Sequence, residues 1–402
     1  MERKKQSKID INFIKSLDKL DNFNKYRKQF KIPNKFIYFG ANTLGLTPQN
    51  TIRLTNNFYK ELSENGVLGW RDNNWLKLNK LIGNKIAKII GSKSSEVILS
   101  DSTSVNLFKL LYSAVKLGKN KKRKIILTDN KNFPTDNYII SGLARELGLV
   151  VKFVPRGKLI QNINRDILVV STTQVDFVSG EVLDLEILSN KAQKYGSISL
   201  IDLSHSVGIL PLYLDKWNID FAVGCTYKYL NGGPGSPAFI YVNKKHVHKT
   251  EIILQGWFGH KKPFNFEFKY SPYQGIEKYL TGTPSIISMK QLEASLNIYS
   301  KLNIVKLRKK SFSQTSLLIE LISKHYETSN IKVISPGGSC RGGHVAITHP
   351  NAAKLIKAYE NNGLLGDYRP PNVIRFGISP IYNSYNDIWN AAKIINKRYI
   401  YN

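Results

Sequence analysis

Through the middle of the chain, short apolar runs alternate with segments whose apolar residues recur every three or four positions. Residues 125–127 are apolar and lead into Thr128 and Asp129. Residues 134–147 follow with helical spacing (Tyr138, Ile139, Leu143, Leu147) and stop at Gly148, a residue suited to a helix C-terminus. Residues 150–154 and 167–170 read as further strands. Residues 184–195 read as a helix stopping at Gly196, and 198–201 as a strand ending on Asp202. Two more strands fall at 221–224 and 239–242. Near-continuous apolar strands separated by helices predict a mostly parallel sheet buried on both faces. Helices are predicted at 48–62 and 74–90 before this block, and a long one at 284–302 after it. From about residue 311 a smaller α+β unit follows, with a strand at 331–334, a helix at 351–361 and a last helix from Tyr385. The expected organisation is an N-terminal segment (1–50) lying near the smaller unit, a large α/β unit (51–300) and a small C-terminal α+β unit (301–402).

Composition narrows this only slightly. A hydrophobic fraction of 42% in 402 residues supports a substantial core. No apolar run is long enough to span a bilayer. Residues 1–10 are polar and charged and lack the apolar stretch of a secretory signal, so a cytoplasmic location is expected. Two cysteines, Cys225 and Cys340, are too few for a disulfide framework or a cysteine-rich metal site. The net charge of +30 raises the question of a nucleic-acid partner. The excess is mostly lysine, spread from end to end. Its densest run, Lys119 to Lys124, reads as a solvated turn, and no aromatic RNA-binding motif or zinc-finger spacing accompanies it.

Candidate chemistry gathers at strand ends. Asp202 closes one predicted strand, and Lys228 follows the next, ahead of a glycine-rich turn (Asn231 to Gly235). In open α/β sheets ligands sit beyond the carboxyl ends of the strands, so both side chains can face one crevice. The pair suits pyridoxal 5′-phosphate (PLP), which needs an amine for its aldehyde and a carboxylate to keep its ring nitrogen protonated. Each is common by itself, as a surface lysine or a helix N-cap. Thr103 and Ser104, opening an apolar helical run at 105–115, offer a phosphate site at a helix N-terminus, although a plain cap has the same appearance. Phe133, on a loop after the next strand, can stack on a ring. His205 lies three residues beyond Asp202.

With these residues in place the chain resembles kynureninase, a fold-type-I PLP-dependent enzyme family related to the aminotransferases. The stretch 201–235 (IDLSHSVGILPLYLDKWNIDFAVGCTYKYLNGGPG) carries the resemblance. FGANTLGLTP (39–48), DSTSVNLFKLL (101–111), NFPTDNY (132–138), GWFGH (256–260) and NVIRFGISPIYNS (372–384) agree in order. The resemblance implies a large, mostly parallel sheet between helices and a smaller C-terminal unit. It implies hydrolysis of L-kynurenine, or its 3-hydroxy form, to anthranilate, or 3-hydroxyanthranilate, and L-alanine. Lys228 would anchor the cofactor and carry the α-proton, Asp202 would pair with the ring nitrogen, and Tyr227 would act as general acid and base. Thr103 and Ser104 would bind the phosphate with Tyr227 and Trp257. Phe133 would stack on the ring, with Asp136, Thr173 and His205 beside it. Thr283 would come from the second subunit of a homodimer. Arg375 would clamp the substrate carboxylate, since a planar bidentate donor suits that group. Trp70, Gly282 and Thr283 would shape the aryl pocket in a pattern favouring kynurenine. No metal is implied. The chain is more basic than the family pattern, and residues near Ile160 and from 303 to 330 match no family motif.

Two rivals stand beside this reading. A cysteine desulfurase needs a reactive thiolate on a loop of the small unit. Here the corresponding stretch reads His344-Val345-Ala346, and Cys340 lies upstream. A basic nucleic-acid-binding protein on an inactive enzyme fold would have lost the cofactor residues, which are all present.

Overall fold

The computed structural model describes residues 9–118, 122–323, 330–397 and 399. The run from Lys119 to Lys124 and the segment 1–10 therefore fall partly outside the described residues. The described residues form thirteen strands: β1 Ile37–Tyr38, β2 Val97–Leu99, β3 Ile125–Asp129, β4 Val150–Val154, β5 Ile167–Thr173, β6 Ile198–Asp202, β7 Phe221–Gly224, β8 Phe239–Val242, β9 Lys332–Val333, β10 His344–Thr348, β11 Leu364–Leu365, β12 Asp367–Arg369 and β13 Val373–Gly377. The helices that matter below are α1 Ile11–Leu20, α2 Asn50–Asn65, α3 Leu78–Ile89, α4 Thr103–Leu117, α5 Pro134–Glu146, α6 Leu185–Tyr195, α7 Ile286–Tyr299, α8 Ile304–Ser323, α9 Ala352–Asn361 and α10 Tyr385–Ile395.

Seven strands form the large sheet in the order β2-β8-β7-β6-β5-β3-β4. β4, β3, β5, β6 and β7 run parallel. β8 is antiparallel to both β7 and β2, because the β7–β8 connection turns back without a crossover helix. The sheet is mixed but mostly parallel, as the apolar runs predict. Its strands are buried throughout β5, β7 and β8, which is why they read as continuous apolar stretches. The chain moves outward from β3 to β4 and returns to place β5 on the other side of β3. The carboxyl ends of β3 and β5 therefore flank a topological switch point, the usual ligand crevice of such sheets.

Local signals explain most boundaries. The Asp184 carboxylate accepts the Ile187 N–H and starts α6, and Gly196 ends it at φ 68°. α5 opens with Pro134 in its first turn, and Gly148 beyond its end takes φ 64°. The helix expected from residue 74 starts at Leu78 instead, because Asn74 is left-handed and residues Trp75–Lys77 form a 3₁₀ turn. β5 runs to Thr173, past the expected residue 170. Its polar end is buried with its hydroxyls bonded inside the protein, which apolar patterning cannot show.

The smaller unit has an antiparallel sheet ordered β12-β13-β10-β9 and its own apolar core, including Val345, Ile347, Leu355, Ile374 and Phe376. Of its strands the sequence pattern shows only β9, and α8 also goes unpredicted. The N-terminal segment joins this unit. β1 pairs with β11, Gly40 bridges to Gly377, and Ile14 of α1 is fully buried in the same core. Asp18 accepts the N–H groups of Tyr385 and Asn386, capping α10 from the other end of the chain. No helix among the described residues is long and apolar enough to cross a membrane.

Candidate active site

The site is assembled from the carboxyl ends of β3, β5, β6 and β7. The segment after β7 carries Tyr227 and Lys228, and its path is fixed by the N-terminal segment. Gly45 donates its N–H to the Tyr227 carbonyl at 2.8 Å. A Cβ on Gly45 would stand 2.1 Å from the Lys228 carbonyl oxygen, so only glycine fits there. Asn231, left-handed at φ 59°, reaches back with its side chain to the Leu46 carbonyl at 2.9 Å. Two sequence motifs far apart in the chain thus pack on each other to place one lysine. Lys228 is half-buried, and its Nζ lies 5.8 Å from the Tyr227 ring centre. Among the described residues that Nζ makes no hydrogen bond or ion pair.

Asp202 ends β6 and is buried, accepting the Ser204 N–H at 2.7 Å. Burial pushes its carboxyl up, against the pull of Ser204 and Lys228. Asp136, in the first turn of α5, is raised well above the carboxylate range by burial and then by Asp202, with which it shares a hydrogen bond. Two charges in that space would repel, and burial pushes both carboxyls towards their protonated forms. His205 is buried, with Nε2 unpartnered among the described residues. Burial, then Lys228 and Arg375, hold its imidazole well below the usual range, so it is neutral. The Cys225 thiol and then burial push the Tyr227 phenol up, so it keeps its proton at neutral pH.

A cavity of about 620 Å³ opens beside this group. Ser102 caps α4, accepting the Val105 N–H, and leaves Thr103 and Ser104 at the mouth of the helix. Thr103, Ser104, Tyr227, Ser236, Gly282 and Thr283 all line the cavity, within one chain. A helix N-terminus with hydroxyls and a glycine is a fit for a phosphate group. Phe133 is partly exposed at the start of α5 and meets Phe177 edge-on at 5.3 Å. Thr173 ends β5, but its hydroxyl donates to Val175 O and Asp202 O (3.2 and 3.4 Å), so it can offer a ligand only an acceptor. Trp257 and Trp70 do not line this cavity. Trp257 is partly exposed and stacks on Phe266, and Trp70 lies edge-on to Trp75 at 5.7 Å.

Arg375, on β13, is the largest fully buried side chain. Its Nε donates to Asp367 at 2.7 Å, Nη2 bonds the other Asp367 oxygen and Thr43 Oγ1, and Nη1 bonds the Phe177 carbonyl. The strand register places Asp367 directly opposite Arg375. Burial raises the Asp367 carboxyl, but Arg375, Thr43 and Arg369 outweigh it and hold it below the usual range. Sequence reasoning missed Asp367, Thr43 and Phe177. It also missed Arg156, a buried side chain that ties Asp129 to the Thr173 and Gln174 carbonyls under the site. Only β12–β13 pairing could have pointed to Asp367, and no periodic signal marks so short a strand.

The residues fit PLP in three respects: an unpartnered amine, a buried carboxyl pair able to hold a proton at a ring nitrogen, and a phosphate-sized helix mouth. The small-unit loop thiol a desulfurase needs does not line this cavity. Cys340 is exposed on the Gly338–Cys340 turn, and the His344-Val345-Ala346 stretch is buried in β10.

Comparison with known proteins agrees. The kynureninase C-terminal domain family matches residues 307–395. The chain is 36% identical to the kynureninase of Pseudomonas fluorescens over 95% of its length and 94% of that protein. It is also 36% identical to the kynureninase of Deinococcus radiodurans, over 96% of its length and 95% of that protein. Among solved structures, an apo cysteine desulfurase from Thermococcus onnurineus has a TM-score of 0.80 at 18% identity, covering 93% of this chain and 97% of that one. A lysine-to-alanine mutant of the C-DES protein, with glycine covalently linked to its PLP cofactor, has a TM-score of 0.80 at 16% identity, covering 92% of this chain and 99% of that one. At such identity the structural matches speak for the fold alone.

Proposed function

The chain belongs to the kynureninase family, and we propose that Lys228, Asp202, Tyr227 and Arg375 carry its PLP-dependent hydrolysis of L-kynurenine to anthranilate and L-alanine. The observation that carries this assignment is the unpartnered Lys228 amine standing among Asp136, Asp202 and His205 at the strand ends, next to a helix mouth lined by Thr103 and Ser104.

When bound, the cofactor supplies an electron sink for charge at the substrate α-carbon. The protein does the rest. Thr103, Ser104 and Tyr227 hold the phosphate end, and Phe133 covers a ring face. The Asp136–Asp202 pair keeps a proton at the ring nitrogen, and the neutral His205 adds no competing charge. Lys228 Nζ takes the substrate α-proton and returns it. Tyr227, protonated at neutral pH, donates from its phenol oxygen as water adds to the γ-carbonyl and the β–γ bond breaks. Arg375 binds the α-carboxylate from its Nη side, displacing the Thr43 and Phe177 contacts while Asp367 keeps the fork in place. Lys228→Ala tests the assignment. Purified variant should lose both the visible absorbance of bound cofactor and fluorescent anthranilate formation. Undiminished turnover would refute it.

Several finer features complete the reading. Trp70, Gly282 and Thr283 shape an aryl pocket favouring kynurenine over 3-hydroxykynurenine, which parallel assays with both substrates decide. Trp70 and Trp257 do not line the cavity of their own chain, and Trp257, Phe264, Phe266 and Phe268 are exposed. This supports a homodimer whose subunits complete each other's sites; light scattering would read its mass, and a monomer would count against it. The two free cysteines suit a reducing cytoplasm. The division at residues 50 and 300 is part of the same proposal, and limited proteolysis tests it.

A further inference from the structure

One buried charge pair at the phosphate end is not used by the reaction. Asp101 precedes the Ser102 cap at φ 36°, a left-handed backbone uncommon outside glycine. Its side chain is 29% exposed and lines the cavity, so a carboxylate stands where an anion is to bind. Lys109 of α4, only 1% exposed, forms an ion pair with it. The same Lys109 Nζ donates to the Tyr279 carbonyl at 2.7 Å. From the far side, Thr281 Oγ1 donates to the Asp101 carboxylate, 3.2 Å from each oxygen.

This network joins two pieces of chain that share the cavity. One is the mouth of α4, with Thr103 and Ser104. The other is the segment from Tyr279 onward that carries Gly282 and Thr283. A third piece is indexed from the same point. A Cβ on Gly256 would stand 2.3 Å from Thr281 Cα, and Phe258 donates its N–H to the Thr281 carbonyl at 3.1 Å. The path of residues 256–258 is thereby fixed by Thr281. An uncompensated Asp101 lining the cavity would repel a phosphate bound there. A buried lysine with no carboxylate would be equally unfavourable.

We propose that Asp101 and Lys109 are positioning residues that form a charge-balanced anchor for the phosphate end. Lys109 cancels the carboxylate's charge, and Asp101 holds Thr281, and with it Gly282 and Thr283, at the cavity. The proposal rests on the PLP reading of the site. Neither side chain reaches the reacting atoms.

The test compares the affinity of cofactor-stripped protein for PLP and for pyridoxal, which lacks the phosphate, by absorbance titration. Lys109→Met leaves Asp101 uncompensated, so the Kd for PLP should rise about tenfold or more while that for pyridoxal stays within about twofold. The double variant Asp101→Asn with Lys109→Met has no charge at either position and keeps an acceptor for Thr281. It should recover PLP affinity to within about threefold of the unaltered protein. Asp101→Asn alone should bind PLP no more weakly than the unaltered protein, and the double variant, which leaves neither charge unpaired, holds the test open should a single variant fail to fold. Equal losses for PLP and pyridoxal, no recovery in the double variant, or a tenfold loss in Asp101→Asn would each overturn the anchor. Unaltered protein that binds neither compound, or both alike, would instead overturn the cofactor reading beneath it.

Discussion

Replacing Asp367 by alanine isolates what holds the substrate clamp in shape. The Arg375 side chain is 1% exposed, and Asp367 takes its Nε and Nη2 hydrogens in a two-point contact across the β12–β13 ladder. The variant leaves a buried guanidinium with only the Phe177 carbonyl and Thr43 Oγ1 as partners. Removing one partner of a buried ion pair costs about 3–5 kcal/mol, mostly as the penalty of the charge left behind. Asp367 retains some exposure and Arg369 stands beside it, so the lower end, about 3 kcal/mol, is the expectation. Chemical denaturation followed by circular dichroism should show a lower midpoint with an unchanged slope. L-Alanine, the product bearing the same carboxylate, should stabilise the variant less than the unaltered protein, because the guanidinium that binds it is no longer held in place. KM for kynurenine should rise about tenfold, the equivalent of about 1.4 kcal/mol, as the guanidinium loses its fixed orientation. A variant within about 0.5 kcal/mol of the parent, with an unchanged response to L-alanine, would refute the view that Asp367 holds Arg375.

Other expectations follow from the same geometry. Asp202→Asn removes the carboxylate that keeps the ring nitrogen charged, and kcat should fall by about a hundredfold or more with folding intact; a change under about threefold would count against its role. Gly45→Ala drives a methyl into the Lys228 carbonyl, and turnover should collapse even in variant protein that melts near the parent temperature. Burial holds the His344 imidazole down to about 4. Its folded value lies below the unfolded one, so the unfolded chain binds the proton first as pH falls. Stability is therefore full above about pH 6.5 and declines on the order of 3 kcal/mol on the way to pH 4, and His344→Gln should flatten that decline in denaturant midpoints. Cys340→Ala should leave anthranilate formation unchanged; loss of activity would return the desulfurase chemistry to consideration.

How much of this was legible beforehand varied with the physics involved. The strands of the large sheet were readable because both of their faces are buried, so residues such as Val169, Val170, Ala222 and Ile240 advertise themselves as unbroken apolar runs. Lys228 and Asp202 stood out because strand ends in such a sheet converge. The strands of the smaller unit were mostly invisible: β11 and β12 are two and three residues long, below the length at which alternation can be recognised. Polar networks were hidden for a different reason. Asp367 meets Arg375, Asp101 meets Thr281, and Arg156 meets Asp129 only through pairings between distant segments, and nothing in the local pattern of a buried aspartate distinguishes it from an exposed one. The antiparallel return of β8 depends on a loop rather than a helix joining it to β7, a distinction a glycine-rich stretch hints at but does not specify.

The contact between Gly45 and the Lys228 carbonyl also bears on how the enzyme is made. Gly45 is kept in place by a segment whose strand β1 finds its partner at Leu364–Leu365 and whose Gly40 bridges to Gly377. A nascent chain can build the large sheet, and even expose the lysine, long before those late residues leave the ribosome. The backbone around that lysine then waits for the first and last parts of the message to meet. Activity is accordingly a property that arrives at the close of synthesis, and a prematurely terminated product would hold most of the fold with an untethered amine.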